Sequence, residues 1–228
     1  MSDLYHRTRL LVGDAGVKRL QCASVAVIGL GGVGSYATEA IARAGVGRLL
    51  LVDADTVDNT NVNRQLYALQ DTIGQKKIAV AQQRIRQINP DIVVDARHLF
   101  VDASTLNTLE LNQNWHVIDA IDTLPSKVAL LKYLHEHHIP CVASMGAARR
   151  CDPSRVQLAD IAQTRGCPLA RMVRRQLRQY GILSGIPCVF SDEPPRPVIQ
   201  NIPYETGSGK VPVGSIAHLP GLFGLTAS

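Results

Sequence analysis

The sequence predicts an α/β protein: a Rossmann-like, doubly wound, mostly parallel sheet over residues 1–150 with an N-terminal helical arm, then a C-terminal α/β extension over 151–228 that carries a basic helix. Three observations predict it. Between Ser24 and Gln65, an apolar run from Val25 to Ile28 drives into Gly29, Gly31, Gly32 and Gly34 and then into helix-forming residues from Tyr36 to Ala44. Beyond it, short apolar runs alternate with amphipathic helical stretches, the pattern of βαβ units. From Arg149 onward the periodicity changes, and one segment carries arginine along a single side.

The elements follow in chain order. Asp3 to Lys18 holds Tyr5, His6, Arg7 and Arg9 ahead of the apolar Leu10 to Val12, and is expected to form a short helix or arm packed across the fold. In the strand, glycine turn and helix that follow, the glycines let the backbone turn tightly and approach a ligand, and the helix N-terminus offers unpaired N–H groups to a phosphate. A second strand, Arg48 to Val52, ends in Asp53, 19 positions after Gly34, where an acid can bind a ribose hydroxyl. A glycine turn alone also occurs in sheets without a ligand; the agreement of strand, helix and distal acid points to a nucleotide. A helix from about Gly74 to Gln87 presents Ile78, Ala81, Ile85 and Ile88 at helical spacing and stops at Asn89-Pro90. Ile92 to Phe100 reads as a third strand, Ala103 to Leu111 as a weaker helical stretch, and His116 to Ala120 as a fourth strand that delivers Asp119 and Asp122 to the carboxyl edge of the sheet. Pro125 opens a helix through Tyr133 to His137, and Cys141 to Ser144 is the fifth strand. His135, His137 and His138 lie at that helix end with no acid or cysteine spaced to complete a metal site, so they read as a solvated end that complements the helix dipole.

In the last third, Arg155 to Leu158 reads as a short strand, and Pro168 opens a helix to Tyr180 with Gly181 as its stop. At about 100° per residue, Leu169, Val173, Leu177 and Tyr180 share one arc while Arg171, Arg174, Arg175 and Arg178 lie opposite. Solvated faces usually mix signs; this one holds no acid, which favours phosphate binding. Pro187 to Ser191 is another strand, Asp192 to Val213 a Pro- and Gly-rich loop, and Gly214 opens an apolar segment read as a helix cut short at Ser228. The net charge of the 228 residues is only +5, yet eight arginines fall between Arg149 and Arg178 with only Asp152 and Asp160 to offset them, which points to a polyanion such as RNA. No stretch has the form of a signal peptide or of a membrane span, so a cytoplasmic protein without a membrane partner is expected. The five cysteines are scattered without a CxxC pair, which argues against a structural zinc or a disulfide framework.

The stretch Asp53 to Gln65 decides which nucleotide. A nicotinamide cofactor asks for an apolar slot and one acid, whereas Asn61, Arg64 and the downstream Lys77 bring positive charge and amide donors, which suit a triphosphate. Asp122 would hold Mg²⁺ against the phosphates, as hard carboxylates do. Together these groups suit attack on an α-phosphate.

Here the sequence resembles the E1-like adenylating family, which includes the ThiF and MoeB proteins and the ubiquitin-activating enzymes. The matching motifs are GLGGVGS at 29–35, DADTVDNTNVNRQ at 53–65, GQKK at 74–77 and DAID at 119–122. The resemblance implies a site for ATP and Mg²⁺ built from Gly29, Gly31, Gly32, Gly34, Asp53, Asp55, Asn61, Arg64, Gln65, Lys77 and Asp122. Within it, Asp53 binds ribose, Asn61, Arg64 and Lys77 bind phosphates, and Asp122 holds the magnesium. Arg7 matches an arginine that enters the neighbouring subunit's site, which implies a homodimer. CPLARMVRRQLRQYG and PCVFSDEPP look like the branch that dehydrates N6-threonylcarbamoyladenosine at position 37 of tRNA to its cyclic form, with the arginine helix holding the tRNA and a sulfur-relay protein as a further partner expectation. Two departures stand out. Relatives usually carry Asp where this chain has Cys167, a poorer N-cap worth about 1 kcal/mol, and they extend beyond Ser228. Cys188 could serve as a thioester nucleophile, but a cysteine in an apolar strand reads as core. An alternative of the same family adenylates the C-terminus of a ubiquitin-like sulfur carrier; its relatives commonly carry paired CxxC zinc ligands, which this sequence lacks. A nucleotide-binding regulatory module with a degenerate site fits poorly, because Asp53, Arg64, Lys77 and Asp122 are all present.

Overall fold

Each apolar run becomes a strand of one sheet in the computed structural model, which describes residues 3–197, 199 and 213–228. The strands are β1 (Ser24–Ile28), β2 (Arg48–Asp53), β3 (Val93–His98), β4 (Trp115–Asp119), β5 (Cys141–Ser144), β6 (Val156–Asp160) and β7 (Pro187–Ser191). Their spatial order is β3-β2-β1-β4-β5-β7-β6; all neighbours pair in parallel except β6, which runs antiparallel to β7 at the edge. The helices are α1 (His6–Cys22), α2 (Gly34–Ala44), α3 (Lys77–Ile88), α4 (Leu124–Glu136), α5 (Pro168–Leu177) and α6 (His218–Ala227).

Successive strand residues point to opposite faces, and β1 and β2 are apolar at every inner position because both faces are covered. Val25, Val27, Leu49 and Leu51 pack with Ile41 of α2, Ile85 of α3 and Phe223 of α6. Ala26, Ile28, Leu50 and Val52 pack on the other side with Leu130 and Leu134 of α4. The helix α5 extends that second layer over β5 and β7 through Ala170, Val173 and Leu177.

Several boundaries differ from expectation. The N-terminal element is not short: α1 spans 17 residues with a kink at Gly13, whose φ of 69° and ψ of 176° suit glycine, and it leaves Leu10 and Leu11 75% and 86% exposed rather than packed across the fold. The third helix starts at Lys77 and not near Gly74. Gly74 has φ of 83°, its N–H and the Gln75 carbonyl pair with Val57, and Thr56 bridges to Lys76, which holds the preceding residues extended. Residues 103–111 form only a 3-10 turn, Leu106–Leu109. The predicted strand at Arg155 starts at Val156, after a 3-10 turn over Pro153–Arg155. The basic helix gives way at Arg178 to a 3-10 turn that ends at Gly181, so Tyr180 rotates out of the packed arc and is 52% exposed. Cys167 does cap α5, its Sγ accepting the Ala170 N–H at 3.5 Å. His135, His137 and His138 are exposed at the end of α4, with His137 Nδ1 2.8 Å from the Tyr133 carbonyl. Of the predicted loop 192–213, residues 198 and 200–212 lie outside the described residues. Among the described residues no helix is long and apolar enough to cross a membrane.

Candidate active site

Strand order reverses direction of winding between β1 and β4, and a crevice opens at the carboxyl ends of strands at such a point. The turn after β1 is fixed there by close backbone approaches. Gly29 donates its N–H to the Val52 carbonyl at 2.8 Å and has φ of 94°; a Cβ on it would lie 2.9 Å from the Ala120 carbonyl oxygen. A Cβ on Gly34 would overlap the Gly29 carbonyl oxygen itself, so α2 can begin this close to β1 only with glycine at its first position. A Cβ on Gly32 would reach Pro220 of α6 at 3.0 Å and Arg64 Cγ at 3.5 Å, while Gly31 faces Gln65 Nε2.

Asp53 links this turn to the end of β2. Its Oδ2 accepts the Leu30 N–H at 2.6 Å and its Oδ1 the Asp55 N–H at 2.7 Å, which fixes the carboxylate and leaves lone pairs for hydroxyl donors. Burial pushes the Asp53 carboxyl above its usual range, against the pull of Lys77 and the two N–H groups. Lys77 is 4% exposed, and its Nζ rests 2.8 Å from Oδ2 of the exposed Asp55. Asn61 is held by a capping box: its Oδ1 accepts the Asp58 N–H at 3.1 Å while Asp58 accepts the Thr60 N–H, so the amide NH₂ is left to donate. Arg64 donates Nη1 to the Thr60 carbonyl at 2.8 Å and to Asn63 Oδ1 at 2.9 Å. Burial pushes its guanidinium below the usual range, opposed by the charge of Asp122 across the crevice. The Gln65 side chain is buried, and its N–H donates to the Asn61 carbonyl at 2.9 Å. Asp122 is exposed, with the Thr123 hydroxyl donating to Oδ1 at 3.3 Å.

The structure therefore gathers the glycine turn, Asp53, Asp55, Asn61, Arg64, Gln65, Lys77 and Asp122 at one edge of the sheet. Arg7 is elsewhere. Two residues before it, Tyr5 packs on Gly45 beyond the far end of α2, about 16 Å of helix away from the turn. The arginine cluster is also divided. Arg149, Arg150, Arg155, Arg165 and Arg174 are tied into the fold: Arg150 is buried on the carbonyls of Glu193, Gly146 and Gly166, Arg155 and Arg165 hold Asp192, and Arg174 donates to the carbonyl and hydroxyl of Thr164. Arg171, Arg175 and Arg178 are exposed, so Arg174 drops out of the expected free face.

Asp119, expected at the edge beside Asp122, is instead wholly buried and paired with Lys127, a residue that the motifs along the chain did not single out. The signal was present: Lys127, Leu131 and Leu134 share one stripe of α4, so a lysine stands among core positions. Cys188 is core as expected. Burial pushes its thiol up, and pushes that of Cys141 up to about 12, which keeps both protonated.

A mostly parallel sheet with a glycine turn after its first strand, an acid on the second and Asn, Arg, Lys and Asp gathered beside them belongs to a nucleotide-dependent adenylating protein. The chain belongs to the ThiF family, whose model matches residues 5–227. It is 43% identical to the tRNA threonylcarbamoyladenosine dehydratase of Bacillus subtilis over 99% of this chain and 91% of that protein. The crystal structure of Escherichia coli tRNA N6-threonylcarbamoyladenosine dehydratase, TcdA, in complex with ATP superposes with a TM-score of 0.88 at 35% identity, over 99% of this chain and 92% of that one. A sulfur carrier protein adenylyltransferase of Thermus thermophilus is 38% identical over 55% of this chain and 46% of its own length.

Proposed function

We propose that the chain is an ATP-dependent tRNA threonylcarbamoyladenosine dehydratase, which adenylates the threonyl carboxylate of N6-threonylcarbamoyladenosine at position 37 of tRNA and closes it to the cyclic form. The observation that carries this reading is that similarity to the Bacillus dehydratase runs through the last third as well as the nucleotide site, whereas the sulfur-carrier enzyme matches about half of the chain.

ATP lies with its ribose on Asp53 and its phosphates between the N-terminus of α2 and the donors of Asn61, Arg64 and Lys77. Lys77 is already aimed by Asp55, so the phosphates take over a lysine whose side chain is ordered in advance. Asp122 suits a hard cation: its carboxylate is exposed at the crevice and meets no cation of the chain at ion-pair distance among the described residues. When bound there, Mg²⁺ neutralises phosphate charge. The substrate's carboxylate oxygen attacks the α-phosphorus, the bond to the β-phosphate bridging oxygen breaks, and pyrophosphate leaves an acyl-adenylate. The ureido nitrogen then attacks the activated carbonyl; the bond to the phosphate-linked oxygen breaks, AMP departs with that oxygen, and the nitrogen's proton passes to solvent. The water thus leaves as an oxygen on AMP, the nitrogen's proton and the proton that the carboxyl group had already shed on ionising. No enzyme nucleophile takes part, in keeping with the buried Cys188.

The tRNA lies across the exposed Arg171, Arg175 and Arg178 by its phosphates. Arg7, far from its own chain's turn, completes the site of a second copy in a homodimer. The reaction belongs to the cytoplasm, where the tRNA is. Incubation with ATP, Mg²⁺ and tRNA bearing the base, followed by mass spectrometry of the digested nucleosides, is expected to show loss of one water. An unchanged nucleoside, with AMP formed only when a ubiquitin-like sulfur carrier is added, overturns the reading in favour of a carrier-activating enzyme.

A further inference from the structure

Nothing in the reaction above uses Asp119 and Lys127, yet both are wholly buried, with Lys127 Nζ 2.6 Å from Asp119 Oδ2. A buried ion pair seldom gains more than its desolvation costs, and apolar residues of similar volume often serve stability better. What distinguishes this pair is its place. Asp119 ends β4 in register with Ile28 of β1. Its Oδ1 accepts the Ile121 N–H at 3.0 Å, and its Oδ2 takes the ammonium of Lys127 from the first turn of α4. One carboxylate therefore holds the Ile121 amide within the turn 120–123 and also ties the strand end to the first turn of the helix that follows, and that turn carries Asp122. Among the described residues no side-chain hydrogen bond caps α4 at Thr123; the helix start is held by this link and by the Lys127 N–H to the Thr123 carbonyl. The same turn abuts the glycine turn, with the Ala120 N–H donating to the Ile28 carbonyl at 2.9 Å and the Ala120 carbonyl lying against Gly29.

We infer that the Asp119–Lys127 pair is a positioning device for Asp122: it locks the turn between β4 and α4 so that the Asp122 carboxylate meets a divalent cation on the ATP phosphates. The inference rests on the role proposed for Asp122 above. A charged pair does what an apolar pair cannot. It accepts the Ile121 N–H, which would otherwise be an orphan donor, and it ties the strand end to the helix in one direction.

The test measures ATP affinity of the full chain by calorimetry, with and without MgCl₂, together with thermal melting. Lys127→Met alone strands a buried carboxylate and is expected to lower the melting temperature, so the deciding variant is the neutral Asp119→Asn/Lys127→Met double. Its asparagine can still accept the Ile121 N–H. The double variant is expected to melt cooperatively and to bind ATP without magnesium as the wild type does. It should lose about tenfold or more of the magnesium-dependent gain in affinity, the scale on which groups that orient a metal ligand act. A double variant that keeps the full gain overturns the inference and leaves the pair a structural strut. A wild type with no magnesium-dependent gain overturns it too, along with the role of Asp122. The dehydration reaction is read separately by mass spectrometry: if it fails while the gain depends on the pair, the inference stands and the assigned reaction falls.

Discussion

Gly34→Ala tests how tightly the phosphate site is set by backbone packing. The new methyl would overlap the Gly29 carbonyl oxygen, and that carbonyl is not free to yield, because Gly29 is held by its N–H to Val52 on one side and by the Ala120 carbonyl on the other. The start of α2 must therefore retreat by on the order of 1 Å to restore van der Waals contact. Donors that meet phosphate oxygens at about 2.8 Å would then stand near 3.8 Å, beyond hydrogen-bonding range. If two N–H groups are lost, at about 1.5–3 kcal/mol each for a charged acceptor, ATP affinity falls by roughly 10²- to 10⁴-fold. The strain on the fold itself is about 1–3 kcal/mol, the usual range for overpacking, so the variant should stay folded. Titration calorimetry with ATP, with melting as the control, measures both. An ATP affinity within about threefold of wild type, less than the value of one such bond, refutes the argument that these donors bind phosphate.

Three further outcomes follow from other parts of the molecule. Phe223 of α6 is wholly buried against the layer that supports the glycine turn, so Phe223→Ala should destabilise the chain by about 3–5 kcal/mol in chemical denaturation; a loss under about 1 kcal/mol would mean that α6 is not part of the cooperative core. Arg171→Glu with Arg175→Glu should weaken tRNA binding and make it less sensitive to salt, by about 0.9 in slope for each phosphate the variant leaves unneutralised, with ATP affinity unchanged; unchanged tRNA affinity would make that face only a solvated surface. Burial pushes the Glu39 carboxyl up, but Arg84 and Arg43 together outweigh it and hold its pKa below the usual 4.5. A depressed carboxyl stabilises above its unfolded value and loses that contribution as pH falls through the folded one. The melting temperature of wild type should therefore exceed that of Glu39→Gln above pH 4.5, and the gap should close as the pH falls below it; a gap independent of pH would assign the effect to packing instead.

What could be read from the sequence was whatever depends on neighbours along the chain. The run Val25 to Ile28 into Gly29 and Gly34, and the acid at Asp53, each state a backbone requirement within a few residues, and the fold followed them strand by strand. Local reading erred where a distant group set the geometry. Gly74 looked like the start of a helix until Val57 and Thr56, nearly twenty residues back, paired with the residues before Lys77. The arginines looked like one cluster until Thr164, Asp192 and Glu193 drew several of them inward. Such partners lie on other elements, so spacing along one helix cannot reveal them.

The pair Asp119–Lys127 joins these two cases and explains why the site was only partly legible. DAID at 119–122 looks like two equivalent acids at one sheet edge. The end of the strand separates them: Asp119 is the last residue of β4 and is wholly buried, while Asp122 lies three residues on, in the turn, and reaches solvent. Once one acid is buried, chemistry demands a cation within hydrogen-bond reach, and the stripe facing that layer belongs to α4, where Lys127 stands among leucines. A lysine at a core position and an acid at a strand end are each odd alone. Taken together they specify one another, and they place the exposed Asp122 in a turn that one carboxylate fixes at the Ile121 amide and bridges to the following helix.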